Sequence, residues 1–223
     1  MKKIVLGLLL SMTLFSCSNE ENKTQNQVAS RPTAPVLSPT VQIGTQVWMT
    51  KNLNVIRYRN GDIIPQVTNT TQWANLTTGA WCYYLNNTTD GATYGKLYNW
   101  YAVKDPRDLA PIGYHVPSDD EWTTLITFLG GASVAGNKMK ATTGWTPYAG
   151  ITNTNSSGFT GLPGGFSFYD GTFADIGRTG FWWSSSEYST TGAWGRYLNY
   201  DEVSANRGGG GKRCGFSVRC IKD

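Results

Sequence analysis

Helices early in the chain and strands late in it predict an α+β fold, and three observations carry that expectation. From Ser118 to Gly131 the sequence spells a complete helix, from its capping start to its stop. Beyond about Gly144, short aromatic or β-branched runs alternate with glycine-containing turns, the mark of a β-rich, loop-rich half. Charged residues are only 15% of the 223 residues, beside nine tryptophans and 26 glycines, where an average soluble protein carries about 25% charge. The net charge of +4 includes the charges of Lys2 and Lys3, so the remainder is close to neutral. A strongly basic footprint for nucleic acid is thereby excluded.

The chain opens with Lys2 and Lys3, then the apolar run Ile4 to Leu10. This is the charged-then-apolar layout of an export signal, and the run is too short to span a bilayer. It leads into Leu14-Phe15-Ser16-Cys17, where a small residue precedes a cysteine. The stretch resembles the lipobox of bacterial lipoproteins, in which the cysteine becomes the lipidated first residue. Residues 1–16 are therefore expected to be a lipoprotein signal peptide and Cys17 the lipidation site. Each buried methylene contributes about 0.8 kcal/mol, so two or more acyl chains make attachment stable without a membrane-spanning helix. Ser18-Asn19-Glu20-Glu21 follows, with no Asp directly after Cys17. The inner-membrane retention signal is thus missing, and the acidic pair resembles the surface-export signal of lipoproteins in the Bacteroidetes. The expected location is the cell envelope, with an outer-membrane lipid anchor; the sequence leaves open which face of the membrane bears the domain, the cell surface being one alternative.

From Cys17 to Thr40 the chain is rich in Asn, Gln, Ser and Thr and carries Pro32, Pro35 and Pro39. Such a segment cannot bury enough surface to offset its ordering entropy, and the prolines stiffen it into a spacer. Residues 17–40 are read as the lipidated cysteine and a disordered tether, and residues 41–223 as one domain. A domain of that size buries about 70% of its unfolded surface, enough for a core of its own.

Within the domain, Val41-Gln42-Ile43-Gly44 and Val47-Trp48-Met49 read as strands broken by a turn at Gly44-Thr45. Trp81 to Leu85 is a second β-prone run, closed by the turn-rich Asn86 to Gly91. Leu97, Trp100 and Tyr101 recur at helical spacing and predict a short helix from Lys96 to Val103, ended near Pro106. In Val116-Pro117-Ser118-Asp119-Asp120-Glu121-Trp122, Ser118 and Glu121 form a reciprocal capping box. Asp119 and Asp120 complement the positive end of the helix dipole. Trp122, Leu125, Ile126 and Leu129 form one apolar stripe, and Gly130-Gly131 stops the helix. Strands are then expected at Gly158 to Leu162, Gly165 to Tyr169, Phe181 to Glu187, Gly195 to Tyr200 and Gly215 to Ile221. In the last, the period of two puts Phe216, Val218 and Cys220 on one face, pointing into the core.

A series of separated motifs closely resembles the Fibrobacter succinogenes major paralogous domain family. They are Tyr94-Gly95-Lys96-Leu97-Tyr98-Asn99-Trp100-Tyr101-Ala102-Val103, then Gly113-Tyr114-His115-Val116-Pro117-Ser118-Asp119-Asp120-Glu121-Trp122. Gly158-Phe159, Leu162-Pro163-Gly164-Gly165, Phe181-Trp182-Trp183-Ser184-Ser185-Ser186-Glu187-Tyr188 and Gly215-Phe216-Ser217-Val218-Arg219-Cys220 complete the order. The resemblance runs from about Val41 to the C-terminus. It implies an exported lipoprotein and carries no established biochemical activity. The family is distantly similar to the formylglycine-generating-enzyme-like and C-type lectin-like folds, whose "Leu-Pro-Thr-x-x-Glu-Trp" helix start is filled here by Val116-Pro117-Ser118 to Glu121-Trp122. The resemblance therefore implies a C-type-lectin-like single domain, with two short helices in the N-terminal half and a β-rich, loop-rich C-terminal half.

Candidate chemistry is sparse. With Cys17 acylated, Cys82, Cys214 and Cys220 remain, and an exported location permits a disulfide. The family resemblance favours Cys82 with Cys220, because both positions fit its pattern; three reduced, buried thiols acting as small hydrophobes are the alternative. The paired active-site cysteines of formylglycine-generating enzyme lie on a motif with no match here. His115 is the only histidine, so any His-dependent triad or zinc site must use it; its place just before the helix cap suits a structural hydrogen bond. Asp119, Asp120 and Glu121 are helix-start residues, and Asp170-Gly171-Thr172 reads as a turn. The calcium motifs of sugar-binding C-type lectins are absent, Asn199-Tyr200-Asp201 being the nearest stretch. No catalytic residue, metal ligand or cofactor is expected.

The aromatics are the permissive signal. Trp182 and Trp183 are adjacent in a strand and face opposite sides. Tyr148, Tyr169, Trp182, Trp194 and Tyr200 are the candidate ligand-contacting rings, since an exposed ring offers a flat apolar face and a hydrogen-bond handle. Arg196 and Arg207 add polar contacts or simply face solvent, and Gly208 to Gly211 reads as a flexible loop. The expected function is a non-enzymatic recognition module for a polysaccharide or protein ligand, attached to the membrane through its lipid. The rivals are an enzyme related to the formylglycine-generating group and a purely structural envelope protein.

Overall fold

The first and last strands of the folded segment lie in one sheet. Strand β1 (Thr40–Ile43) turns at Gly44-Thr45 into β2 (Gln46–Met49), as the sequence predicts. The C-terminal β11 (Ile221–Lys222) lies between β2 and β5 (Tyr114–His115), giving the order β1-β2-β11-β5. A computed structural model describes residues 39–223; the expected signal peptide, Cys17 and nearly all of the tether lie outside the described residues. The tether gives way to structure slightly early: Pro39 accepts hydrogen bonds from the Thr50 amide and hydroxyl, and β1 begins at Thr40.

The larger sheet has the order β10-β9-β8-β6-β7. It is built from β6 (Gly164–Ser167), β7 (Phe173–Ile176), β8 (Thr179–Glu187), β9 (Gly192–Asn199) and β10 (Asn206–Gly211). All neighbours are antiparallel except β6 with β8. A two-stranded ladder pairs β3 (Trp81–Cys82) with β4 (Leu97–Tyr98). Among the described residues the helices are α1 (Thr70–Ala74), α2 (Thr88–Tyr94), α3 (Trp100–Val103), α4 (Asp119–Phe128) and α5 (Ala132–Met139), with a 3₁₀ turn at Tyr84–Asn86. The molecule is mixed α+β, and all five α-helices precede the large sheet.

Strand β8 organises the core by its period of two. Trp182 faces one apolar cluster with Trp48, Trp122, Leu125 and Phe159. Trp183 faces the other, with Tyr98, Trp100, Phe216 and Val218. Both indoles are fully buried. A buried tryptophan removes roughly 200 Å² from water, about 5 kcal/mol at 25 cal/mol/Å² as an upper bound. The segment 216–221 alternates in the same way. Phe216, Val218 and Cys220 enter the Trp183 cluster as expected, while Ile221 enters the Trp182 cluster.

Helix α4 forms as read. Ser118 Oγ accepts from the Glu121 amide at 3.2 Å, and the Ser118 amide donates to Glu121 Oε2 at 2.8 Å. Trp122, Leu125 and Ile126 are buried, and the Trp122 indole donates to the Trp183 carbonyl at 3.3 Å.

Several elements differ from expectation. Gly130 and Gly131, at φ 100° and 97°, end α4 but do not end helical structure, because α5 starts at Ala132. The helix expected over 96–103 begins only at Trp100: Leu97 and Tyr98 pair with Trp81 and Cys82, and Asn99 caps α3. The turn-rich stretch before Gly91 becomes α2, capped by Asn87, and short α1 is capped by Asn69. Gly158 to Leu162 makes one bridge, Lys140 to Gly161, instead of a strand. Strand β7 has no counterpart in the sequence reading.

The four glycines 208–211 are not a flexible loop; they form β10, paired along its length with β9. Neighbouring rings fill the space that side chains would take. A Cβ on Gly208 would lie 2.8 Å from Tyr197, on Gly209 2.5 Å from Tyr188, and on Gly210 2.7 Å from Phe216. Glycine inside a strand marks such close approach, and the covering rings supply the packing that glycine lacks.

Candidate functional site

Beyond β10 the chain turns through Gly211-Lys212-Arg213-Cys214, and this turn is fixed from several sides. The Lys212 amide donates to Thr191 O at 2.9 Å and the Cys214 amide to Gly211 O at 2.8 Å. The Lys212 carbonyl accepts from the Trp100 amide at 2.9 Å, and the Arg213 carbonyl from the buried Trp73 indole at 2.8 Å. Lys212 and Arg213 thus project from a backbone held by α1, α3 and the β8–β9 turn.

Around that turn lies a cleft of about 540 Å³. One side is the segment leaving α1, with Asn75, Leu76 and Thr77; the others carry Thr190 and Thr191 of the β8–β9 turn, Tyr101 of α3 and Tyr169 of the β6–β7 turn. Each part has a local reason for its shape. Asn75 closes α1, its side chain donating to Thr71 O at 2.8 Å. Ser189 Oγ accepts from the Gly192 amide at 3.0 Å and tightens the turn that presents both threonines. Asp170 Oδ1 accepts from the Thr172 amide at 3.0 Å and hydroxyl at 2.7 Å, which sets the turn carrying Tyr169. Tyr169 is 57% exposed, and the Arg213 guanidinium lies 5.9 Å from its ring centre. Lys212 Nζ pairs with Glu187 and sits 4.6 Å from the Trp100 ring centre. Arg213 donates through Nη1 to Ala74 O.

The other expected ring positions scatter. Trp182 is a correction: it is fully buried, its indole donating to Asn52 Oδ1 at 2.8 Å, so it contacts core and no ligand. Trp194 is half-buried beside Tyr188, with the Arg207 guanidinium 3.4 Å from its ring centre. Tyr148 and Tyr200 form a separate edge-on pair at 5.5 Å. Of the five rings named from the sequence, the cleft takes Tyr169 alone. Arg196 is buried and pairs with Asp119, which also pairs with Arg207 at 2.8 Å. Burial pushes the Asp119 carboxyl up, but hydrogen bonds from Arg207 and Arg196 outweigh it and hold the group below the usual carboxylate range.

His115 meets a carboxylate at each ring nitrogen: Asp223 at 2.7 Å from Nδ1 and Glu121 at 2.8 Å from Nε2. Burial pulls its pKa down, and the hydrogen bonds to Asp223 and Glu121 more than reverse that, leaving it raised above 6.5. The cleft beside it, about 460 Å³, is lined by Asp105, Asp108, Arg59 and Ser185 among others and by no cysteine. Cys82, Cys214 and Cys220 are buried free thiols. The expected Cys82–Cys220 pairing is not made, because Cys82 packs with Trp73, Tyr84 and Leu97 while Cys220 packs in the separate Trp183 cluster. Burial pushes the Cys220 thiol up to about 12. Among the described residues, no group of three His, Cys, Asp or Glu could hold a metal ion, and no helix is long and apolar enough to cross a membrane.

Nothing in the sequence alone marks Asn75, Thr77, Tyr101, Thr190, Thr191, Lys212 or Arg213 as a site residue. The nearest signal is two adjacent cations directly after four glycines, which matter once the glycines are seen as a strand that aims them. With this geometry in place, the chain belongs to the Fibrobacter succinogenes major domain family, whose model matches residues 41–222. No curated protein and no solved structure matches the chain significantly.

Proposed function

We propose that this chain is a cell-envelope lipoprotein, anchored through Cys17 to the outer membrane, whose domain is a non-catalytic recognition module for polysaccharide. The observation that carries the binding half is the cleft at Tyr169. It combines an exposed phenol ring, hydroxyl and amide side chains at Asn75, Thr77, Thr190 and Thr191, and a turn fixed by backbone hydrogen bonds. Sugars take this combination: an apolar ring face stacks on the aromatic while hydroxyls exchange hydrogen bonds with short polar side chains. Preorganised walls cut the ordering cost of binding. A C-type-lectin-like classification is part of the same reading, supported by the capped start of α4 at Ser118 ahead of a β-rich half.

The anchor rests on the apolar run ending at Ser16-Cys17. Cells fed labelled palmitate should label the wild-type chain and not Cys17→Ala; equal absence of label from both would end the anchor. For the ligand, a glycan array probed with the full chain in detergent should return polysaccharide binding that Tyr169→Ala removes. Silence across the array, or binding indifferent to Tyr169→Ala, would end the recognition reading at this cleft.

A further inference from the structure

The cleft is electrically one-sided. Its lining contains two cations, Lys212 and Arg213, and no carboxylate. Nearby acids are engaged elsewhere: Glu187 pairs with Lys212, and Asp170 turns its carboxylate onto Thr172. Lys212 is therefore a compensated cation, mostly buried, with its Nζ over the Trp100 ring. Arg213 differs. It forms no ion pair among the described residues, and only its Nη1 makes a hydrogen bond, to Ala74 O. Its Nε and Nη2 are left available at the mouth, beside the exposed Tyr169 ring.

We infer that the cleft selects an anionic polysaccharide, with Arg213 contacting a carboxylate or sulfate group of a sugar that stacks on Tyr169; this rests on the recognition reading above. A guanidinium presents its donors as a planar fork that matches two oxygens of either anion, and such charge-assisted pairs are stronger than neutral ones. The fixed turn holds Arg213 before the ligand arrives. Lys212 does not compete for the same oxygens, because Glu187 already occupies it.

The test uses the full chain in detergent and two matched pairs of polymers in affinity electrophoresis. Polygalacturonate is set against its methyl ester, and dextran sulfate against dextran, so each pair differs in charge on one backbone and the pairs separate carboxylate from sulfate. At low salt, at least one charged polymer should bind about tenfold more tightly than its neutral partner, the effect of one charge-assisted contact. Arg213→Ala should erase that difference and leave the neutral polymer's binding unchanged, while Lys222→Ala, outside the cleft, should preserve it. Circular dichroism on each variant checks that the fold is retained. Equal binding of charged and neutral partners, or discrimination that survives Arg213→Ala, overturns the inference and leaves the recognition reading standing. Charged binding erased by Arg213→Ala but indifferent to Tyr169→Ala overturns the inference, since the anion then binds without a stacked sugar, and ends the recognition reading at this cleft with it. Binding of none of the four overturns both.

Discussion

Two arginines six residues apart sit in opposite physical worlds. Arg219 is fully buried, and its guanidinium donates to Asn52 Oδ1 at 2.7 Å and to the carbonyls of Met49, Phe159 and Thr160, with the Phe159 ring centre 4.4 Å away. It forms no ion pair among the described residues, and burial pulls its pKa down to about 9, so it stays charged at neutral pH. Arg213 stands at a cleft mouth with one carbonyl partner. The contrast separates structure from recognition. A charge with every donor matched by fixed acceptors ties loops together, and a charge left with open donors in a cleft is the one we propose for a ligand contact.

The comparison breaks first at Arg219. Its removal leaves three backbone carbonyls and the Asn52 side chain short of a donor, and Asn52 is the same residue that accepts from the Trp182 indole. Arg219→Met keeps much of the volume and loses every donor. The expected loss is about 3–5 kcal/mol, since unmatched buried acceptors each cost about 1–3 kcal/mol. Urea unfolding measures it, and a loss below about 1 kcal/mol would show that the hub is dispensable.

Next in size is the strand that leads to the cleft. Gly210→Val places its Cβ 2.7 Å from the Phe216 ring, which itself packs on Phe181 at 3.9 Å between ring centres. Overpacking of this kind costs about 1–3 kcal/mol. Gly211→Ala, whose Cβ meets nothing closer than Thr191 O at 4.0 Å, should cost far less. Equal melting temperatures for the two variants would contradict the close packing of rings over β10.

These glycines mark where the sequence could be read and where it could not. Helix α4 was legible because its capping box and apolar stripe are local, and the opposite faces of Trp182 and Trp183 follow from strand geometry alone. Gly208 to Gly211 looked like a loop because the rings that cover it come from Tyr188, Tyr197 and Phe216, none of them predictable as neighbours. Leu97 and Tyr98 fitted a helical spacing, yet the ladder to Trp81 and Cys82 overrides it. Trp182 was a reasonable ligand contact until its cluster with Trp48, Trp122 and Phe159 existed. The cleft draws on five separate stretches of chain, so only Tyr169 was visible beforehand, as one aromatic among many.

A smaller effect comes from His115, the remaining charge that is tied down. Its folded pKa lies above the unfolded 6.5. The stabilisation is therefore complete below that value and fades as pH rises through the folded pKa. Glu121 works in the other direction. Burial pushes it up, hydrogen bonds from Ser118 and His115 prevail, and its folded pKa falls below 4.5, so its contribution is lost as pH drops through the folded value. Stability from the pair should peak between the two. The His115 side chain is 40% exposed, which limits the effect to about 1 kcal/mol. Urea midpoints at pH 5.5 and 7.5, kept below the region near 8 where buried Lys140 titrates, should fall for the wild type and stay level for His115→Gln. A wild-type midpoint that rises over that interval would refute the sign.

The smallest expected effect sharpens the opening contrast most. Arg213→Ala removes an exposed guanidinium with one carbonyl partner, while the turn beneath it keeps the Trp73, Trp100 and Thr191 hydrogen bonds, all made by backbone groups of residues 212 and 213. Stability should change by less than about 0.5 kcal/mol, as for surface substitutions generally. The same truncation at Arg219 should unfold much of the population at moderate urea. If Arg213→Ala instead destabilises by more than about 2 kcal/mol, the guanidinium is a structural tie between α1 and the cleft turn, and its open donors have no claim to be a ligand contact.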